Sequence, residues 1–156
     1  MPVQTDSNQD SIVEYLGKAA IFSDLPVEDL RVLASYSGFY SYKKGERVFD
    51  KGSNSKQLFM IARGEVAITS SMETDSRGKE TGGDQAIARF IPGEMFGEFE
   101  FFEEDTRTAF ATAAEETTLL AFPREGEDLD RVFDEYAHIF AKVYHKLISV
   151  NAGRQR

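Results

Sequence analysis

Apolar residues recur first at helical spacing. Ile12, Val13, Tyr15, Leu16 and Ala19 predict a short helix from Ser11 onward, weakened at Gly17. Phe22-Ser23-Asp24-Leu25-Pro26 reads as the start of a second helix. Ser23 or Asp24 can accept from free amides there, Pro26 suits a first turn, and Glu28 and Asp29 favour the positive helix end. Leu30, Val32, Leu33 and Tyr36 carry that helix to Gly38. Beyond Gly38 the pattern changes to short β-rich runs at 39–42, 47–49, 57–61, 65–69, 86–90, 108–113 and 118–122, parted by turn residues such as Gly45, Gly52-Ser53-Asn54 and Arg63-Gly64. Strands this short, roughly ten residues apart, predict a sandwich or barrel. Residues 70–85 carry almost no apolar side chain and several turn formers, and so predict an exposed hairpin loop. From Asp128 the period is helical again. Leu129, Val132, Phe133, Tyr136, Ile139, Phe140, Val143, Tyr144, Leu147 and Ile148 form one broad stripe, which predicts a single amphipathic helix over 128–150.

Composition narrows the function classes. The 156 residues carry 27 acidic against 18 basic side chains, a formal net charge of -9, which excludes a long phosphate-backbone footprint. Cysteine is absent, which removes thiol catalysis, disulfides and Cys-based metal sites and is compatible with a reducing, cytoplasmic setting. No run approaches the roughly 18 apolar residues of a membrane helix. Residues 1–10 lack the basic-then-apolar order of a signal peptide. The two histidines, His138 and His145, stand seven residues apart on the last predicted helix, about 10 Å along its axis and too far to share a metal. No histidine lies on a strand, so neither a metal-binding barrel nor a nucleophile–base pair is expected, and the chain is not read as an enzyme.

Chemistry concentrates between Pro92 and Ala113. Gly93 and Gly97 flank a short apolar stretch, Glu98 follows directly, and Arg107 lies nine residues beyond Glu98. Gly97 permits close backbone approach, the amides of a following helical turn can point at an anion, and a guanidinium from the next strand can hold it by two parallel bonds. Each residue also has a plainer reading: Arg107 as counter-charge to the acidic loop before it, Glu98 as a turn carboxylate, and the aromatic helix stripe as core or dimer seam.

Phe96-Gly97-Glu98, eight residues, then Arg107-Thr108-Ala109 resembles the phosphate-binding cassette of cyclic-nucleotide-binding domains. Ile21-Phe22-Ser23-Asp24-Leu25, Lys44-Gly45-Glu46-Arg47-Val48-Phe49 with Lys51-Gly52, and the run from Leu58 to Val66 resemble the same family in the same order. The resemblance implies a mainly β fold, a double-stranded jelly roll (β-roll), with N-terminal helices and a C-terminal amphipathic helix. It divides the chain into a flexible tail (1–10), one domain (11–150: helices 11–38, β-roll 39–123, last helix 128–150) and a second tail (151–156).

The resemblance also implies roles. Arg107 pairs with the cyclic phosphate and Glu98 accepts from the ribose 2′-hydroxyl. Gly97 and the amides of Glu100 and Phe101 cradle phosphate and sugar, with Phe96, Phe99 and Ala109 completing the cassette. Thr108 leans toward guanine, and Tyr136, Phe140 or Tyr144 closes over the purine. The implied ligand is cAMP or cGMP, with no cofactor and no metal. The implied partners are a separate effector protein or a second copy meeting the helix face of Val132, Tyr136, Ile139, Val143 and Leu147. One position departs from the family. Glu100 stands where a small residue is usual, and a carboxylate about 5 Å from a phosphate costs roughly 3 kcal/mol at an effective dielectric of about 20. It sustains a second reading: a scaffold of this type that has lost its ligand and serves as a protein–protein interaction module.

Overall fold

The computed structural model describes residues 3–5, 8–54, 56–70, 86–97 and 106–154. In chain order the elements are β1 (Val3–Thr5), α1 (Gln9–Lys18), a 3-10 turn (Ala20–Phe22), α2 (Val27–Ser35), β2 (Gly38–Tyr42), β3 (Arg47–Phe49), β4 (Leu58–Arg63) and β5 (Val66–Thr69), followed by β6 (Ala86–Phe90), β7 (Met95–Phe96), β8 (Phe110–Ala113), β9 (Thr117–Phe122), α3 (Leu129–Glu135) and α4 (Ala137–Arg154). The strands pair antiparallel in two sheets, ordered β1-β2-β9-β4-β7 and β3-β8-β5-β6. This is the mainly β roll with helices at both ends that the sequence predicts.

The five-stranded sheet is covered on both faces, which is why its central strands carry unbroken apolar runs at 58–62 and 119–122. Strand alternation then sorts the side chains. Phe59, Phe96, Ile61, Leu119, Ala121, Tyr40 and Tyr42 enter the core between the sheets, with Phe49, Ala111 and Ala113 of the other sheet opposite. Leu58, Met60, Leu120, Phe122 and Phe39 face the other way, onto Ile12, Leu16, Leu33, Ile139, Phe140 and Val143 of the helices. The register Phe59↔Ala121 sets a large ring beside a small residue, so the sheets close over the rings of Phe49, Phe59 and Phe96.

Three expectations are corrected. The lead-in 1–10 is not all tail: Val3–Thr5 add a strand to the sheet edge, pairing with Phe39–Ser41, and α1 begins at Gln9 under an Asn8 cap. The single helix over 128–150 is two. It breaks at Tyr136 (φ -122°, ψ 37°), and the break lets Phe133 meet Phe140 edge-on at 4.2 Å while Tyr136 packs on Tyr36. The periodic stripe survives a one-residue interruption, so it carries no mark of the break. The helix face expected to receive a second copy is turned inward instead: Val132, Ile139, Val143 and Leu147 are buried and Tyr136 is half-buried. That stripe covers the protein's own sheet because the apolar face of the sheet would otherwise lie open. Two smaller differences follow. α2 has Pro26 at its cap with no side-chain cap bond, and the Ser23 hydroxyl donates to the Ala20 carbonyl. Met95–Phe96 form a strand that the short run between two glycines did not announce.

Candidate functional site

The site forms where β7 ends and the chain returns toward β8. Gly97 has φ +82°, a conformation that L side chains rarely adopt. Arg107 is fixed by its own backbone first: its N–H donates to the Ser53 carbonyl (2.9 Å) and its carbonyl accepts from the Gly52 N–H (2.7 Å). Its side chain is 1% exposed. Nη1 donates to the Gly97 carbonyl at 3.0 Å and Nη2 donates to the Gln57 carbonyl. The guanidinium lies 4.4 Å over the Phe49 ring and 5.8 Å from that of Phe59. A charged group this deep is tolerated only where hydrogen bonds and ring faces replace water, and both are present here. Carbonyls from two strand ends thus converge on one cation.

The sequence-predicted residues separate into groups. Gly97 and Arg107 come together, as the spacing requires. Phe96 is buried in the inter-sheet core, stacked on Phe59 at 5.2 Å and Phe90 at 5.4 Å. Ala109 is buried and Thr108, beside Arg107, is exposed. Glu98, Phe99, Glu100 and Phe101 lie outside the described residues. Among the aromatics assigned as lids, Phe140 packs between Phe122 (5.8 Å) and Phe133, on the sheet face opposite Arg107. Tyr136 leans on Tyr36, and the Glu135 carboxylate followed by a hydrogen bond with Tyr36 raises its phenol above the usual range. Tyr144 is 39% exposed on α4.

Gln57, Phe49 and Phe59 were not singled out by the sequence as site residues. Gln57 holds Arg107 by its carbonyl and the Pro123 carbonyl by its side-chain amide (2.8 Å), joining the site to the end of β9. No motif spacing marks it, because a backbone acceptor can be any residue type. Two clefts lie elsewhere. One, of about 660 Å³, is lined by Tyr42, Lys43, Lys44 and Glu116; the other, of about 340 Å³, by Lys18, Ile21, Met95 and Leu147. Neither includes Gly97 or Arg107 in its lining. Among the described residues no group of three or more side chains is placed to hold a metal, and no helix is long and apolar enough to cross a membrane.

Gly97 is where space and conformation coincide. A Cβ there meets Arg107 Nη1 at 2.8 Å and the Gln57 carbonyl oxygen at 3.3 Å. Gly97→Ala is therefore expected to lower stability by about 1–3 kcal/mol through the strained φ and to displace the guanidinium from its acceptors. Urea unfolding checks the first effect, and a variant with an unchanged midpoint overturns the assignment.

Comparison with known proteins agrees with this fold. Residues 39–136 match the family described as the cyclic nucleotide-binding domain. The cyclic AMP receptor protein of Thermus thermophilus is 33% identical over 105 residues, 67% of this chain and 45% of that protein. The crystal structure of a cyclic nucleotide-binding domain from Methylobacillus flagellatus superposes with a TM-score of 0.72 at 23% identity, covering 99% of this chain and 84% of that one. The Thermus thermophilus catabolite activator protein gives a TM-score of 0.62 at 30% identity, covering 88% of this chain and 59% of that one. The chain spans about half the length of the curated regulators it matches.

Proposed function

Because the chain belongs to the cyclic nucleotide-binding domain family, we propose that it binds a cyclic mononucleotide, cAMP or cGMP, reversibly and acts as a regulatory domain rather than a catalytic one. The observation that carries this reading is the buried guanidinium of Arg107 held against the positive-φ Gly97, a cation already desolvated at the position of the phosphate-binding arginine. A planar guanidinium suits the two exocyclic oxygens of a cyclic phosphate, and pairing outside bulk water is stronger than at the surface. The signal leaves through α4, which the ligand shifts between two docked positions, a population shift with a packed helix as its two-state element. The output is a partner, either a second copy or a separate effector. With the stripe of Val132, Ile139 and Val143 buried, the remaining apolar face of α4 is that of Tyr144 and Ile148, 39% and 53% exposed and one turn apart.

One observation favours the alternative of a ligand-free interaction module. Arg107 bonds to two backbone carbonyls, a role that a purely structural arginine also fills. The Glu100 carboxylate supports the same alternative on sequence grounds. Thermal unfolding with cAMP and with cGMP at millimolar concentration decides between the two. A nucleotide present at 100 times its Kd adds about 2.7 kcal/mol of stability, and no shift with either nucleotide sinks the sensor reading. Given a response, Glu100→Ala is expected to tighten binding, by up to about a hundredfold if that carboxylate lies about 5 Å from the phosphate. Sedimentation of the same samples shows whether a second copy is the partner.

A further inference from the structure

Helix α4 has a second face that neither the core nor the proposed ligand site uses. His138, Lys142 and Lys146 follow one another at intervals of four residues and so lie along one line of the helix. That line faces two carboxylates of the N-terminal helical segment. Lys146 Nζ lies 3.5 Å from Asp24 Oδ2, Lys142 Nζ lies 3.8 Å from Asp29 Oδ2, and His138 Nε2 lies 3.9 Å from Asp29 Oδ1. Asp29 is the informative member, since its residue is only 8% exposed, a rare state for a carboxylate. Covering it costs free energy unless opposite charge replaces water, and the cation that supplies it, Lys142, arrives from α4, more than one hundred residues away in sequence. The two lysines are partly exposed and the core stripe of α4 points elsewhere, so helix formation and core packing do not require this alignment.

We propose that Lys142 and Lys146, with His138 beside them, and the two aspartates form an electrostatic latch that holds α4 on the N-terminal helices and sets how readily the helix leaves its docked position. The latch bears on signalling only if ligand moves α4, as proposed above, but the latch itself exists without ligand and is tested without it.

The test is amide hydrogen exchange of the ligand-free chain at low ionic strength, comparing α4 amides with those of β9 as an internal reference. Lys142→Gln with Lys146→Gln leaves helix propensity nearly unchanged and Asp29 covered without its lysine. Exchange in α4 is expected to quicken by about three- to tenfold relative to β9, the scale of two weak pairs. The wild-type chain should approach the variant in 1 M salt, where the screening length falls to about 3 Å. Adding Asp29→Asn to the double variant should slow exchange again, because the uncompensated charge is gone. Wild-type exchange in the double variant overturns the latch. So does an acceleration that persists when Asp24 and Asp29 are both neutralised, since the lysines would then act within their own helix. Absence of any nucleotide response, with these exchange results intact, removes the sensor reading and leaves the latch standing.

Discussion

Arg107→Ala is expected to lose nucleotide binding and fold stability together, the largest effect of any single change at the site. The guanidinium is 1% exposed and donates to the carbonyls of Gly97 and Gln57. Truncation leaves two part-buried acceptors without these donors, at up to about 1–3 kcal/mol each, and empties the space over the Phe49 ring. Relief of the cation's own desolvation offsets part of that cost, so a net loss of about 2–4 kcal/mol is expected from the urea midpoint. Binding should weaken at least about a hundredfold, since a desolvated charge pair to phosphate is removed while the phosphate must still be dehydrated. The two effects separate in Arg107→Lys. Lysine keeps the charge but not the planar fork, so stability should recover in part while affinity does not. A lysine variant that binds as tightly as the wild type would show that the fork is not the recognition element. An alanine variant with an unchanged urea midpoint would show that the carbonyl bonds contribute nothing net.

The second large effect lies in the turn between β4 and β5. Gly64 has φ +95°, and a Cβ built there falls 2.5 Å from the Glu116 carbonyl oxygen, 2.7 Å from Thr117 Cα and closer still to Thr117 Oγ1. These atoms belong to backbone and to a fully buried hydroxyl that donates to the carbonyls of Glu65 and Glu115, so they cannot swing aside. Gly64→Ala should cost more than about 3 kcal/mol, the range reached when strain and overpacking combine. Gly93 supplies the control, with φ +92° and nothing within 4 Å of the same built atom. Its alanine variant bears the conformational cost alone, about 1 kcal/mol. Urea midpoints of the two variants read the difference directly, and equal midpoints would mean that the Glu116–Thr117 turn moves freely.

Much of the fold was legible because its signals are local. Short β-rich runs parted by turn residues gave every described strand except β1 and β7, and Leu30, Leu33 and Asp29 placed α2 within a few residues of its observed limits. The break at Tyr136 was not legible, since it interrupts the helix without shifting the apolar stripe. The stripe of the last helix illustrates the general limit. Period 3.6 says that one face is apolar but not what covers it, and an internal sheet and a second copy leave the same pattern. At the site, Gly97 and Arg107 were found because their spacing along the chain is itself the signal. Gln57 and Phe49 were missed because they meet Arg107 only across the roll.

The sequence alone therefore determined the order of most helices and strands and the spacing that marks Gly97 and Arg107 as a pair. Each depends on neighbours within about ten residues, where propensity and periodicity act. The tertiary structure alone decided what stands opposite: that Arg107 is buried on two carbonyls and two rings, that the expected seam is core, and that Asp29 is covered by Lys142 and His138 from the far end of the chain. Those facts belong to pairs distant in sequence, joined only when two sheets and two sets of helices bury a common apolar surface.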